Sequence, residues 1–167
     1  MYWRGRNKFK TVEFVPNAKA NLVQAKEVTF TEVAGSGVYT GSVSLPAGST
    51  LVDIIVHAVA LWTAETSALM IVGDVADPNG FFDAVNLKAT DLLAGESISF
   101  SATGGKQGAD IDVPGAATHI RRRYLATARV ISGEITTVDA AEAGGLGVTH
   151  MTVLWVAPST ETVAAKV

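Results

Sequence analysis

The sequence predicts an all-β domain, a sandwich or barrel, on three observations. Apolar residues recur with a period of two, the 3.6-residue period of a helix is scarce, and turn residues punctuate the chain at short intervals. Tracts such as Gly35-Ser36-Gly37, Asp77-Pro78-Asn79-Gly80, Thr103-Gly104-Gly105, Val113-Pro114-Gly115 and Gly144-Gly145-Leu146-Gly147 supply the turns.

The elements follow in chain order. Residues 1–26 form a basic N-terminal arm, within which Lys10 to Val15 has strand character, and the sandwich proper spans 27–157. Glu27 to Val33 opens it. Val38 to Leu45 sets Tyr39, Val43 and Leu45 against Thr40, Ser42 and Ser44, and stops at Pro46-Ala47-Gly48-Ser49. From Leu51 to Trp62 both faces are apolar: Val52, Ile54, Val56, Ala58, Ala60 and Trp62 oppose Leu51, Asp53, Ile55, His57, Val59 and Leu61. The one helix expected is a short one near Phe82 to Leu93. Ser97 to Ala102 alternates Ile98, Phe100 and Ala102 with serines. Ile120 to Val130 is expected as a strand with Tyr124, Ala126, Ala128 and Val130 inward, opposed by Arg121, Arg123, Thr127 and Arg129. Val148 to Ala157 closes the domain, with Met151, Val153 and Trp155 opposed by Val148, His150, Thr152, Leu154 and Val156. Gly104 to Gly115 and Ala140 to Gly147 are expected as loops, and 158–167 as a C-terminal tail.

At 167 residues the chain is the size of one domain and long enough to bury a core unaided. It has no cysteine, which excludes disulfides, Cys-based metal sites and thiol catalysis. The longest apolar stretch, Ile54 to Trp62, is too short for a membrane helix of ~20 residues, and no signal-peptide core follows Met1; neither a membrane nor a targeting role is expected. Charged residues are 17% of the chain against about 25% in ordinary domains. Together with the doubly apolar strands, this points to a sheet face covered by another subunit. Leu51, Ile55, His57, Val59, Leu61 and Leu154 are the candidate residues on that face, with Arg121 and Arg123 pairing acids across the interface.

The charge is asymmetric. Residues 1–26 carry +5 and the remainder −8, so a basic arm leaves an acidic body. Such an arm suits an acidic protein partner better than nucleic acid, which a body of that sign repels. Within it, Tyr2, Trp3 and Phe9 are the candidate anchors, and Arg4, Arg6, Lys8 and Lys10 the candidate ion-pairing groups.

Catalytic and metal-binding patterns are not evident. His57, His119 and His150 stand singly, without a second ligand at metal spacing. No Gly-x-Ser-x-Gly elbow occurs, and Gly104-Gly105-Lys106-Gln107 lacks P-loop spacing. Asp74, Asp77 and Asn79 before Gly80 have the residue types of a calcium loop but not its spacing, and a plain turn accounts for them. No enzyme, metal or cofactor is expected.

One stretch carries a resemblance. Leu45-Pro46-Ala47-Gly48-Ser49-Thr50-Leu51-Val52-Asp53-Ile54-Ile55-Val56 is similar to a run in small tailed-bacteriophage virion proteins, in which a Pro-Ala-Gly turn leads into a long apolar strand. Ala68 to Asp74, the turn Asp77-Pro78-Asn79-Gly80-Phe81 and the closing strand Gly147 to Val156 continue it, so that it covers about residues 37–157. The resemblance implies a jelly-roll-like antiparallel β-sandwich with an extended N-terminal arm. It implies the role of a head decoration (cement) protein: a homotrimer on the outer surface of the capsid, bound to the major capsid protein. A head–tail connector or fibre component built on the same sandwich is the alternative within that class. A carbohydrate-binding β-sandwich module is the alternative outside it, disfavoured by an aromatic content of 7% and by Trp62 and Trp155 falling on apolar faces.

Overall fold

A computed structural model describes residues 22–35, 37–112, 119–139 and 146–158. Ten strands form: β1 (Val23–Thr31), β2 (Val38–Leu45), β3 (Thr50–Ala60), β4 (Ser67–Asp74), β5 (Asp77–Asn86), β6 (Ser97–Ile98), β7 (Ile111–Asp112), β8 (His119–Ile120), β9 (Arg129–Val138) and β10 (Val148–Val156). Among the described residues there is no helix. Eight strands make two four-stranded sheets, ordered β1-β10-β3-β6 and β2-β9-β4-β5, while β7 and β8 pair as a small hairpin between β6 and β9. The ladders pair antiparallel throughout. The chain passes from one sheet to the other and back so that first and last strands end as neighbours. That strand order is the double Greek key of a jelly roll.

Period-two patterning places the core where expected. Val43 and Leu45 of β2, Ile54, Val56 and Ala58 of β3, Met70 and Val72 of β4, and Met151 and Val153 of β10 meet between the sheets, all essentially without exposed surface. Trp62, just beyond β3, is buried edge-on to Tyr39 and donates its indole N–H to Thr149 Oγ1 at 2.9 Å. Two glycines of one sheet receive a ring from the other. Gly41 and Gly133 are cross-strand partners, and the Phe30 ring of the opposite sheet sits against both. A β-carbon on Gly133 would stand 3.0 Å or less from Phe30, Met70 and Met151, so those side chains would have to move to admit a larger residue.

Four expectations are corrected. The helix near Phe82 to Leu93 is instead the second half of β5 followed by a turn. Register shifts in the β4–β5 ladder, with Ala84 in the left-handed region at φ 49°, let Phe81 and Phe82 both enter the core, which blurs the strand period. The strand from Ile120 to Val130 is broken: β8 ends at Ile120, the chain turns at Arg122 (φ 55°), and β9 starts only at Arg129. The facing is also reversed, for Arg129 is buried and Val130 exposed. The strand at Ser97 stops after Ile98, because Ser99 and Ala102 exchange backbone hydrogen bonds of 3.1 Å in a tight reversal. Lastly, a register shift between Leu154 and Trp155 turns Leu51 away from the outer face, leaving it wholly buried in the core. Strand β1 begins at Val23, so Val23 to Lys26 of the segment read as arm pair with β10.

Candidate interaction surface

The outer face of the β1-β10-β3-β6 sheet is built in rows by strand register. Ala25, Leu154 and Asp53 form one row; Glu27, Thr152 and Ile55 the next; Thr29, His150, His57 and Ser97 the third. Antiparallel pairing thus sets side by side two histidines 93 positions apart in the chain, with ring centroids 6.4 Å apart and planes tilted by 48°. Glu27 closes the group on the β1 side. Its Oε1 lies 3.4 Å from His150 Nδ1, and its Oε2 accepts a 3.3 Å hydrogen bond from the Thr152 hydroxyl. Asp53 is already engaged, its Oδ1 accepting from the backbone N–H of Ile54 and of Phe100. Ile55, His57, His150, Leu154 and Val156 are half-buried, while Val23 and Val59 are exposed.

Of the residues expected at a subunit interface, the fold therefore brings Ile55, His57 and Leu154 onto one face, with Val59 and Leu61 towards the end of β3. Leu51 is not on it. Arg121 and Arg123 lie apart, in the loop after β8, and both are exposed. Arg123 donates to the Val52 carbonyl and lies 5.7 Å over the Phe100 ring. The arm residues Tyr2, Trp3, Arg4, Arg6, Lys8, Phe9 and Lys10 lie outside the described residues, as does the side chain of His119.

Between those two, Arg122 is held by two carboxylates. Arg122 donates both ways to Asp74, at 3.0 and 2.8 Å, and its Nε is 3.3 Å from Asp110 Oδ2. The left-handed backbone at Arg122 turns its side chain to the β4–β5 end, which strict strand alternation does not predict. Asp74 also accepts from the Ala76 N–H at 2.9 Å, so the oxygens that resembled a calcium ligand set serve an arginine and a turn. Among the described residues, no three His, Asp or Glu converge as metal ligands. Beside this pair, Arg129 is buried 5.9 Å from the Phe81 ring and donates to the carbonyls of Arg122 and Arg123. Burial works to raise Asp74, but the Arg122 and backbone hydrogen bonds outweigh it and hold the carboxyl below its ordinary range. Asp110 goes the other way: burial raises it, and Arg122 only partly compensates.

A third carboxylate closes the opposite end. Glu32 is 3% exposed and accepts from the Thr63 N–H and hydroxyl, the Ala64 N–H at 2.9 Å and the Gly147 N–H at 3.0 Å. Burial works to raise it, and these donors outweigh burial and lower it. It ties together the ends of β1, β3 and β10, and nothing in its sequence neighbourhood marks it.

No family model and no curated protein matches this chain. It is similar in outline to chains in three solved bacteriophage capsids. For the cyanophage Pam1 capsid asymmetric unit, identity is 18% over 82% of this chain and 84% of that one, with a TM-score of 0.46. The acidic stable capsid structure of Helicobacter pylori bacteriophage KHP30 shows 15% identity over 81% and 95%, at 0.47. The capsid of Ralstonia phage GP4 shows 18% identity over 84% and 88%, at 0.49.

Proposed function

We propose that this chain is a virion structural protein, a decoration (cement) protein that self-associates through the outer face of the β1-β10-β3-β6 sheet and binds the outer surface of a phage head. The observation that carries the reading is that face. In β3 and β10, the two central long strands, apolar residues line both sides, and only one side is needed for the core. The sequence resemblance to phage virion proteins supports the same class. In this reading three copies form the unit, and the basic arm from Tyr2 to Lys10 extends over the major capsid protein, whose acids pair with Arg4, Arg6, Lys8 and Lys10.

The mechanism is linkage. A protein that binds the expanded shell but not its disassembled subunits shifts the equilibrium toward the shell by mass action. A trimer touching several capsid subunits needs only modest affinity per contact, because its second and third engagements are intramolecular. Adding the purified chain to expanded phage shells that lack it tests this. Saturable binding of many copies per shell, with a raised shell disruption temperature, is the expected result. A few copies confined to one vertex would favour the connector or fibre reading, and no binding would refute both.

A further inference from the structure

We infer that self-association through this sheet face is governed by pH, with His57 and His150 as the sensing pair. The inference rests on the proposed use of the face and adds its regulation.

The occupant of the face is a second copy of this chain. None of the outward positions of β1, β10 and β3 in the rows above is a Lys or Arg, and the carboxylates among them are Glu27 and Asp53. A face so poor in charge offers little to a strongly acidic or basic partner and suits an equally uncharged surface of a neighbouring copy. Its size also fits. Three strands of 9 to 11 residues cover about 500 Å² as a flat sheet. Side-chain relief adds to that, bringing it to the order of the ~800 Å² per partner of a stable interface.

The histidine pair sits inside that face. Histidine is the side chain that changes charge between about pH 5 and 8. When both rings are neutral, they are flat, half-buried surface on which a second copy can pack. When both are charged, two cations stand 6.4 Å apart, and a covering copy would strip them of water. The groups able to compensate can be named strand by strand. From β1, Glu27 faces His150. From β6, the partner of His57 is Ser97, which does not titrate, and the preceding Glu96 is turned back to accept from the Leu93 N–H. On β3 itself, Asp53 is held by two backbone donors. His150 therefore has a counter-ion and His57 has none among the described residues. Neutral imidazoles favour the associated state, so protons are released on association, and dissociation follows acidification.

Sedimentation of the full chain at pH 7.5, 6.5 and 5.5, at constant ionic strength, reads this directly. For each proton released per assembled unit, the dissociation constant should rise about tenfold per pH unit below the imidazole range. His57→Gln should flatten that slope, and Glu27→Gln should steepen it by removing the counter-ion of His150. All three positions are at the surface, and far-UV circular dichroism checks that each variant is folded. Association that is equally strong at every pH, or a slope unchanged in the His57→Gln, His150→Gln double variant, overturns the inference and leaves the proposed interface standing. A chain monomeric at every pH overturns both.

Discussion

The two ends of the sandwich each bury a carboxylate, and they satisfy it by opposite means. At the β4–β5 end, Asp74 faces a cation on a long stem, Arg122, which is shared with Asp110 and packed beside Arg129. At the other end, Glu32 meets no cation among the described residues: three backbone N–H groups and one hydroxyl donate to it. A side-chain pair can be broken by deleting one partner. A carboxylate fed mainly by backbone keeps most of its donors through ordinary side-chain substitutions. The first arrangement therefore concentrates vulnerability in one residue, and the second spreads it over three chain segments.

The largest effect should come from separating the pair. Arg122→Asn keeps a residue that tolerates the left-handed backbone but takes from buried Asp74 its nearest cation, leaving Arg129 at 4.0 Å, at a cost of about 3–5 kcal/mol in urea unfolding. Adding Asp74→Asn should recover a large part of that. A double variant no more stable than Arg122→Asn alone would show that the charge is not what the arginine serves.

At the other end, Glu32→Gln keeps the shape, halves the acceptors and turns an amide N–H₂ toward N–H donors, for a loss of about 2–3 kcal/mol at pH 7. The sign of its pH dependence follows from the lowered carboxyl. Its stabilisation is complete above the ordinary carboxylate range and disappears as pH falls through the lowered value. Wild type and Glu32→Gln should therefore converge in stability toward pH 3. Asp74 adds a loss of the same sign on acidification, whereas Asp110, raised by burial, is relieved by it. A gap between the two proteins that is constant from pH 7 to pH 3 would mean that Glu32 acts through shape and not charge.

The smallest of the three tests a neutral bond near the same end. Thr149→Val removes the acceptor of the Trp62 indole N–H at unchanged volume and should cost about 1–2 kcal/mol, with no pH dependence between 7 and 3. Any pH dependence would tie this bond to the Glu32 cluster.

These ends show where sequence reading reached and where it stopped. The strands whose one face is core were legible from β2, β3 and β10, because burial imposes a strict period of two on them. The fold class followed from that period and the turn residues. The two clusters were not legible, since each joins positions far apart in the chain: Glu32 with Gly147, Arg122 with Asp74. Arg121-Arg122-Arg123 was visible as a charge run, but strand alternation did not mark Arg122 for Asp74, because the left-handed turn at Arg122 cannot be read from residue types. The same applies to His57 and His150, solitary in sequence and neighbours only once β3 and β10 pair. Leu51 was misplaced by a single irregularity in register, which period-two patterning has no means to register.

The Gly41–Gly133 contact gives the sandwich a waist. With Phe30 pressed against two residues that have no side chain, the sheets interlock at that point. A subunit gripped by neighbours on one sheet would thus pass that force through the waist to the other sheet as a rigid plate, and strain imposed at either rim would be spent in the loops before it reached the core.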